Sequence, residues 1–192
     1  KMKKIYLLIF IFFGITANVN ADTNRLVSGK IDAKITIIAY ESLTCSHCAN
    51  FHKDIYPQLK KDFLDTGLAK IEFRHFPLDI AAFNGAKIAQ CNYDQGLEIL
   101  ESLYSNQQEW VRGSSIEEVN DNLKNFIEKK GFKINFEKCV NNKNIENFIL
   151  NDRIEGVKKF KVNATPTIII NNKKFEKSLN YKNLKKILEK LI

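Results

Sequence analysis

The sequence predicts a single α/β domain in which helices flank a mixed sheet and a long helical stretch interrupts it. Two nearly continuous apolar, β-branched runs, at residues 34–40 and 167–170, suit strands that are buried on both faces. Helical periodicity extends from Asp79 to about Phe160, which is too long for one crossover helix. No repeat, low-complexity tract or linker separates these parts, so we expect one cooperative unit.

The amino-terminal segment has the pattern of a secretory signal peptide. Three of the first four residues are lysines, an apolar run follows, and small residues surround a cleavage site after Ala21. A membrane anchor is the alternative, but about 11 apolar residues fall short of the roughly 20 needed to span a bilayer. We therefore predict that residues 1–21 are a signal peptide, that residues 22–192 form the mature domain, and that this domain is periplasmic.

The charge of the chain gives no sign of a nucleic-acid partner. The formal net charge is +8, but the lysines are scattered among Asn, Asp and Glu. Proteins that follow a phosphate backbone show basic runs or basic stretches interleaved with aromatic residues, and this sequence shows neither. We therefore expect the excess charge to form a solvated surface and expect no nucleic-acid binding.

The first predicted elements are a buried strand and a helix that starts at a pair of cysteines. The strand covers residues 34–40, and Thr44 is placed to cap a helix entered at Cys45. Four apolar residues then recur at four-residue spacing, which predicts an amphipathic helix: Phe51, Ile55, Leu59 and Phe63. Pro57 lies inside this pattern and is expected to kink the helix.

A second strand and the helical insertion follow. Residues 70–76 form the next β-type run and Pro77 ends it, so the domain opens with a strand, a helix and a strand. Helical periodicity then continues over about 79–160, with breaks expected near three glycines: Gly96, Gly113 and Gly131. This stretch is predicted to be an inserted helical subdomain.

The chain is predicted to return to the sheet near its carboxyl end. Residues 167–170 form a strand, Asn171 and Asn172 form a turn, and residues 174–176 complete a hairpin. A terminal amphipathic helix is predicted from one apolar stripe: Leu184, Ile187, Leu188 and Leu191.

The two cysteines at 45 and 48 lie where a strand gives way to a helix, and this position favours reactivity. Unpaired N–H groups and the positive end of the helix dipole favour a thiolate at Cys45, so its pKa should fall below the roughly 8.5 of a free cysteine. Cys48, one turn further in, is predicted to be shielded and to act as the resolving thiol. His47 lies between them, and its imidazole is expected to lower the Cys45 pKa further, with a smaller contribution from the Ser46 hydroxyl.

A structural metal site is the alternative use of this cysteine pair. Such a site needs four ligands, and His52 or His75 would have to join Cys45 and Cys48. No second pair of cysteines or histidines at ligand spacing completes it. We therefore predict redox use and no metal.

Three separated motifs carry a family resemblance. They are Tyr-Glu-Ser-Leu-Thr-Cys-Ser-His-Cys at 40–48, Phe-Arg-His-Phe-Pro-Leu at 73–78 and Asn-Ala-Thr-Pro-Thr at 163–167. In kind, order and spacing they resemble the DsbA-like thiol:disulfide oxidoreductases of the thioredoxin-fold superfamily, of the alphaproteobacterial type. The resemblance covers nearly all of residues 22–192 and implies a thioredoxin fold, with a central mixed sheet flanked by helices and an inserted helical subdomain.

The resemblance also implies a substrate-binding role for two residues. The proline that matches Pro166 is cis in this family and faces the redox pair, and the residue before it, Thr165, offers backbone hydrogen bonds to an extended substrate. An ordinary strand-entry proline is the alternative. A cis bond at the start of a strand leaves an unpaired edge onto which a peptide can add as a further strand.

The sequence departs from the family pattern in two places. Relatives often carry an acidic residue six positions before the first cysteine, where it assists proton transfer from the buried thiol, and here that position is Ala39. Glu41 lies two residues on, on the same face of the strand, and we expect it to be an ordinary exposed glutamate. A glutamate that takes the place of the missing acid is the alternative. The dipeptide between the cysteines is Ser-His where many relatives have Pro-His.

The other two cysteines, Cys91 and Cys139, fall on predicted helices of the insertion. Four cysteines allow three pairings, and we hypothesise a structural disulfide between these two. Two buried free thiols are the alternative. Closing a loop of about 48 residues should stabilise the fold by roughly 4 kcal/mol on the chain-entropy description.

These features predict an exported dithiol oxidase that introduces disulfides into other exported proteins through Cys45 and Cys48. A stabilised thiolate makes the corresponding disulfide a stronger oxidant, and the cysteine pair itself is the redox centre, so no bound cofactor is expected. The resemblance implies unfolded or reduced exported proteins as substrates and a membrane-embedded, DsbB-like reoxidant, and we expect a monomer. A disulfide isomerase or reductase of the same fold and a non-catalytic peptide-binding chaperone are the alternatives.

Overall fold

The structure, a computed structural model, describes residues 25–192. The predicted signal peptide at residues 1–21 lies outside the described residues. Across residues 25–192, no helix has both the length and the apolar character needed to cross a membrane.

Across residues 25–192, five strands form one mixed sheet. They are β1 Leu26–Gly29, β2 Ile35–Glu41, β3 Ala69–His75, β4 Thr167–Ile170 and β5 Lys173–Lys174. The sheet order is β1-β3-β2-β4-β5, in which β2 and β3 run parallel and the other neighbouring strands pair antiparallel. The predicted mixed sheet is confirmed. The short edge strand β1 was not predicted, because four residues give too little pattern to stand out.

The central strand β2 is buried on both faces, as its apolar run predicts. Ile37 and Ala39 belong to the large core beneath α1, whereas Ile38 and Tyr40 face a smaller cluster with Phe76, Phe160, Val162 and Ile169. The main core thus forms on the face of the sheet that also carries the cysteine pair.

The helix after β2, which we call α1, is irregular. It is α-helical over Ser46–Asn50 and Tyr56–Leu59 and π-helical over Phe51–Ile55 and Lys60–Leu64. Because proline has no N–H to donate, a wide turn just before Pro57 accommodates the missing hydrogen bond. The distortion expected at Pro57 therefore takes the form of a π-helical turn.

The stretch between β3 and β4 is helical. Its helices are α2 Ile80–Cys91, α3 Tyr93–Ser105, α4 Gln107–Trp110, α5 Ile116–Lys129, α6 Phe136–Val140 and α7 Lys143–Phe160. The break predicted near Gly96 is wrong, because Gly96 lies inside α3 and the chain turns at Asn92 instead. A Cβ at Gly96 would approach Ala89 O and Leu26 to 2.6 Å, so this glycine allows close helix packing.

A disulfide joins α2 to α6. Cys91 and Cys139 are bonded, with their Cα atoms 5.5 Å apart, and the two residues are 48 positions apart in sequence. The bond lies in the helical stretch and is separate from the cysteine pair at the start of α1, whose thiols are both free.

The hairpin and the terminal helix close the domain. Asn171 and Asn172 adopt positive φ angles of 45° and 65°, as the two-residue turn between β4 and β5 requires. The last helix, α8, covers Tyr181–Leu188 and buries Leu184 and Leu188. Leu191 was predicted to extend this stripe, but it lies beyond α8 and is 43% exposed.

Candidate active site

The two cysteines of the first turn of α1 differ in exposure. Cys45 is the N-cap residue and is partly exposed, whereas the Cys48 side chain, inside the turn, is completely buried. The prediction that Thr44 caps this helix is wrong, because no side chain caps it and the Thr44 hydroxyl donates to Asp79 Oδ2 at 2.6 Å. The first N–H groups of the helix are thus left to face the Cys45 sulfur.

Hydrogen bonds from the helical stretch between β3 and β4 hold the loop that precedes α1. Gln107 of α4 donates through Nε2 to Leu43 O at 2.7 Å and to Cys45 O at 3.0 Å. The Leu78 N–H donates to Ser42 Oγ at 3.2 Å. These bonds fix the backbone around Cys45, so α4 contributes directly to the geometry of the site.

The loop before β4 meets the cysteine pair from the other side. The Thr165–Pro166 peptide bond is cis. As a thiol, Cys45 Sγ donates to the carbonyl oxygen of Thr165 at 3.3 Å. Residues that are 120 positions apart in sequence therefore converge at one sulfur, with a peptide edge directly beside it.

The surroundings of Cys45 favour its thiolate. Its pKa falls from the ordinary 9.0 to about 5, chiefly because the Cys48 thiol hydrogen-bonds to the sulfur. Burial opposes this shift, while the Thr165 side chain and the backbone N–H groups of Cys48 and His47 reinforce it. Several donors thus aim at one sulfur, and together they outweigh the cost of partial burial.

His47 and Ser46 are both exposed on the first turn of α1. The contribution of His47 to the lowered Cys45 pKa comes through its backbone N–H. Its imidazole lines the adjoining groove. A contribution of the imidazole or of the Ser46 hydroxyl to the Cys45 pKa stays a prediction.

Cys48 has the opposite environment. Burial raises its pKa strongly, and its hydrogen bond to Cys45 and the negative charge of Glu41 raise the pKa further. Cys48 is therefore a thiol under ordinary conditions and must lose its proton before it can attack a disulfide.

The expectation that Glu41 is exposed is wrong. Glu41 ends β2 with 4% of its surface exposed, and its Oε2 lies 2.8 Å from Nε2 of His52, which is itself 7% exposed. His52 lies on the face of α1 that packs against the sheet, where its ring stacks on Tyr104 of α3 at a centroid distance of 4.1 Å. Ala39, at the position where relatives carry an acid, is completely buried.

A groove of about 570 Å³ runs along α1 next to the cysteine pair and is lined by His47, which lies between the two cysteines in sequence. One end is formed by His47, Thr165 and Pro166, and the walls come from α1 and from the segment that enters α8. The further lining residues are Asn50, Phe51, Asp54, Ile55, Gln58, Leu179, Asn180 and Tyr181. Apolar and polar groups are mixed along it, which suits an extended peptide whose reactive sulfur would lie at Cys45.

The histidines considered as metal ligands have other partners. His52 bonds to Glu41, and Nε2 of His75 lies 3.3 Å from Oε1 of Gln90. Within residues 25–192, no three or more His, Cys, Asp and Glu side chains converge as a candidate metal site.

The structure brings Cys45, Cys48, Thr165 and Pro166 together, and it places Cys91 and Cys139 elsewhere. Two features of the site do not follow from the sequence patterns above: the hydrogen bonds of Gln107 and the Glu41–His52 pair. Gln107 carries no local signal, because the loop that it bonds lies more than 60 positions away. His52 carries a local signal, because it follows Cys48 by four residues and therefore lies on the same helix face as Cys48.

Comparisons with known proteins agree with this geometry. A family model described as Thioredoxin matches residues 21–190. The chain is 28% identical to "Disulfide bond formation protein D" of Bacillus subtilis (strain 168) over 175 residues, which are 85% of this chain and 75% of that protein. It is 24% identical to a "Putative protein-disulfide oxidoreductase" of Rickettsia prowazekii (strain Madrid E) over 89% of this chain, but spans only 62% of that protein. Among solved structures, Wolbachia pipientis alpha-DsbA1 matches with a TM-score of 0.76 and 27% identity, covering 88% of this chain and 90% of that one.

Proposed function

Because the chain belongs to the thioredoxin family and is a DsbA-like thiol:disulfide oxidoreductase, we propose that it acts as an exported dithiol oxidase. One observation carries the oxidase direction. The protein stabilises the Cys45 thiolate, and that thiolate exists only in the reduced enzyme. Stabilising the reduced form makes the disulfide form a stronger oxidant, so electrons flow from the client to the enzyme.

The reaction begins with the Cys45–Cys48 disulfide. A client thiolate attacks Cys45 Sγ, a client–Cys45 disulfide forms, and Cys48 leaves as a thiolate that takes up a proton. A second client thiolate then attacks the client sulfur of this mixed disulfide, and Cys45 leaves as a thiolate. The client has gained a disulfide and lost two electrons, and the enzyme is left as a dithiol with Cys45 ionised.

Cys45 is the site of client attack because of its exposure. Cys48 is completely buried, so an incoming thiolate reaches only the outer sulfur of the pair. The backbone carbonyl of Thr165 lies beside Cys45, and Thr165 and Pro166 also line the groove along α1. An extended client can add to this backbone edge as a further strand while its cysteine faces Cys45.

The amino-terminal pattern supports export to the periplasm, where the substrates would be unfolded or reduced exported proteins. The relatives' names, which speak of disulfide bond formation, support the same client class. The reduced enzyme must be reoxidised, and a membrane-embedded, DsbB-like protein would serve as electron acceptor. No bound cofactor is required, because the cysteine pair carries both electrons.

The redox equilibrium with glutathione tests the oxidase direction. The mature protein is equilibrated in buffers of graded reduced and oxidised glutathione, and the fraction of free Cys45 thiolate is read at each ratio. We expect a reduction potential well above the roughly −270 mV of thioredoxin. A value near that of thioredoxin would assign the protein to the reductases.

Oxidation of a dithiol peptide measures the activity directly. The oxidised wild-type protein should oxidise the peptide stoichiometrically, and the Cys45→Ser variant should not. Peptide binding without any cysteine-dependent oxidation would instead identify a non-catalytic chaperone.

A further inference from the structure

The groove along α1 carries one free negative charge. Among the residues that line it, Asp54 is the only Asp, Glu, Lys or Arg. Asp54 is exposed, and the Gln58 side chain donates to its backbone carbonyl at 2.8 Å, not to its carboxylate. Within residues 25–192 no hydrogen bond or ion pair holds that carboxylate. An exposed aspartate is ionised at neutral pH, so the groove presents an unpaired negative charge to whatever enters it.

The position of this charge follows from the face of α1 that forms the groove. The lining residues of α1 recur at spacings of three or four, which is one face of a helix: His47, Asn50, Phe51, Asp54, Ile55 and Gln58. Phe51 and Ile55 are buried and form an apolar floor, whereas Asp54 is exposed at the rim. An extended peptide can therefore place apolar groups on the floor and bring a charged group to the Asp54 carboxylate.

The distance from the reactive sulfur to this charge sets a register. Asp54 follows Cys45 by nine residues. A helix rises by about 1.5 Å per residue, so the two positions are about 13 Å apart along α1. An extended peptide advances by about 3.3 Å per residue. A client whose cysteine reacts with Cys45 therefore has its fourth residue from that cysteine level with Asp54.

The charges around the groove leave Asp54 as the local determinant. Lys53 is exposed but does not line the groove. Asp62, further along α1, accepts hydrogen bonds from the Tyr181 hydroxyl and, at 3.1 Å, from Lys185 Nζ, so its charge is engaged within the protein. Interactions between exposed charges are largely screened beyond about 8 Å at physiological ionic strength. A client side chain beside Asp54 therefore responds to this carboxylate more than to the distant lysines of the chain.

We propose that Asp54 makes the protein selective for clients that carry a lysine or arginine about four residues from the cysteine that reacts with Cys45. This selectivity rests on the proposed exchange reaction and names a substrate class for it. The client ammonium or guanidinium pairs with the Asp54 carboxylate. A guanidinium also donates to Gln58 Oε1, because Gln58 uses only its amide nitrogen for the bond to the backbone. An acidic residue at the same client position is repelled.

Peptides with one cysteine test this selectivity in a fixed register. In the Cys48→Ser variant, Cys45 is first converted to a mixed disulfide with thionitrobenzoate. The peptide thiolate then attacks Cys45 Sγ, a peptide–Cys45 disulfide forms, and thionitrobenzoate leaves as a coloured thiolate whose release gives the rate. The peptides differ at one position, four residues before or four residues after the cysteine, which holds Lys, Gln or Glu. Each rate is divided by the rate of the same peptide with free dithiobis(nitrobenzoate), which removes the effect of the peptide's own thiol pKa.

We expect the Lys peptide to react about 10-fold faster than the Glu peptide at low salt for one of the two placements, with a smaller ratio at high salt. Adding Asp54→Asn should remove this preference, and Asp54→Lys should invert it. Both variants should fold as the wild type does, because the Asp54 side chain is exposed and unpaired within residues 25–192. Asp121→Asn is the matched control, an exposed aspartate on α5 outside the groove, and should keep the full preference.

The outcomes separate this selectivity from the proposed function. Equal normalised rates for the Lys and Glu peptides at both placements would overturn the selectivity, and so would a preference that survives Asp54→Asn. A preference that is equally strong with Lys directly beside the cysteine would also overturn it, because Asp54 lies too far from that position. In each of these cases, oxidation of an uncharged dithiol peptide by the wild type would leave the exchange reaction intact. A wild-type protein that oxidises no dithiol peptide would instead refute the proposed function.

Discussion

The two sulfurs of the cysteine pair lie one helical turn apart and have opposite surroundings. Cys45 is partly exposed, receives hydrogen bonds from several donors and has its pKa lowered to about 5. Cys48 is completely buried and faces the charge of Glu41, and burial raises its pKa. Reactivity in this protein is therefore set by which side of the first helical turn a sulfur occupies.

Different parts of the chain build the two surroundings. The outer side is assembled by the loop that precedes α1 and by the cis bond before β4, with Gln107 fixing the loop backbone. The inner side is assembled by β2, α1 and α3, which bring Glu41, His52 and Tyr104 behind Cys48. Substitutions can therefore alter one side and leave the other largely unchanged.

The largest effect is expected from exchanging the two sulfurs for oxygen one at a time. Cys45→Ser should abolish client oxidation, because the exposed sulfur is the point of attack. Cys48→Ser cannot hold the enzyme disulfide, but its Cys45 thiolate should still attack the disulfide of an oxidised client, form a client–Cys45 disulfide and release the other client sulfur as a thiolate, and no second enzyme sulfur can resolve that adduct. Non-reducing electrophoresis with a disulfide-containing client distinguishes them, and stable adducts on Cys45→Ser would reverse the assignment of the two roles.

How much of this asymmetry the sequence predicts depends on how local each signal is. The position of Cys45 at a strand-to-helix junction predicts an activated outer thiol, and Cys48 one turn further in follows as the shielded partner. The burial of Glu41 does not follow from the sequence, because strand alternation shows which face of the sheet its side chain lies on. It does not show that His52 covers this face. The bonds of Gln107 were not predictable, since they depend on how α4 packs against a loop that is distant in sequence.

The next largest effect is expected at the second disulfide, and it is a change in stability. Replacing Cys91 and Cys139 by alanine removes a cross-link over 48 positions and should lower the free energy of unfolding by about 4 kcal/mol. The Cys45 pKa should be unchanged, because neither residue contributes to it. Chemical denaturation and thiolate titration on the same sample measure both, and a shifted Cys45 pKa would show that the helical stretch tunes the outer sulfur.

The difference in stability between the reduced and the oxidised protein should depend on pH through Cys45. Its folded-state pKa is lowered to about 5, so its ionisation stabilises the reduced protein fully above the unfolded-state pKa, and this contribution is lost as the pH falls through about 5. Cys48 adds no slope in this range, because its raised pKa keeps it a thiol in the folded state and the ordinary cysteine pKa keeps it largely a thiol in the unfolded state. The oxidised protein has no such ionisation and serves as the reference.

Thermal unfolding of both redox forms measures this contribution. The melting temperature of the reduced form relative to the oxidised form should rise between about pH 5 and pH 8. The Cys45→Ser variant should lack this rise. A constant difference across the range would mean that Cys45 does not ionise at low pH.

The smallest effect is expected at Thr165, whose side chain is one of several groups that favour the thiolate. The Thr165 hydroxyl is buried beside the sulfur and has no hydrogen-bond partner among residues 25–192, so it is available to the thiolate. Thr165→Val keeps the shape and removes this hydroxyl, so the Cys45 pKa should rise, by at most about one unit. Alkylation rates as a function of pH report the shift. An unchanged profile would assign the low Cys45 pKa to Cys48 and the backbone N–H groups alone.

The difference in pKa between Cys45 and Cys48 is tested most directly by a pH titration of the reduced protein. The ultraviolet absorbance of the thiolate monitors the titration, and the Cys45→Ser variant serves as the blank. One sulfur should ionise with a midpoint near pH 5, and Cys48 should contribute no second step up to neutral pH. A single midpoint near the ordinary 9.0 would contradict the account, because Cys45 would then be no more acidic than a free thiol.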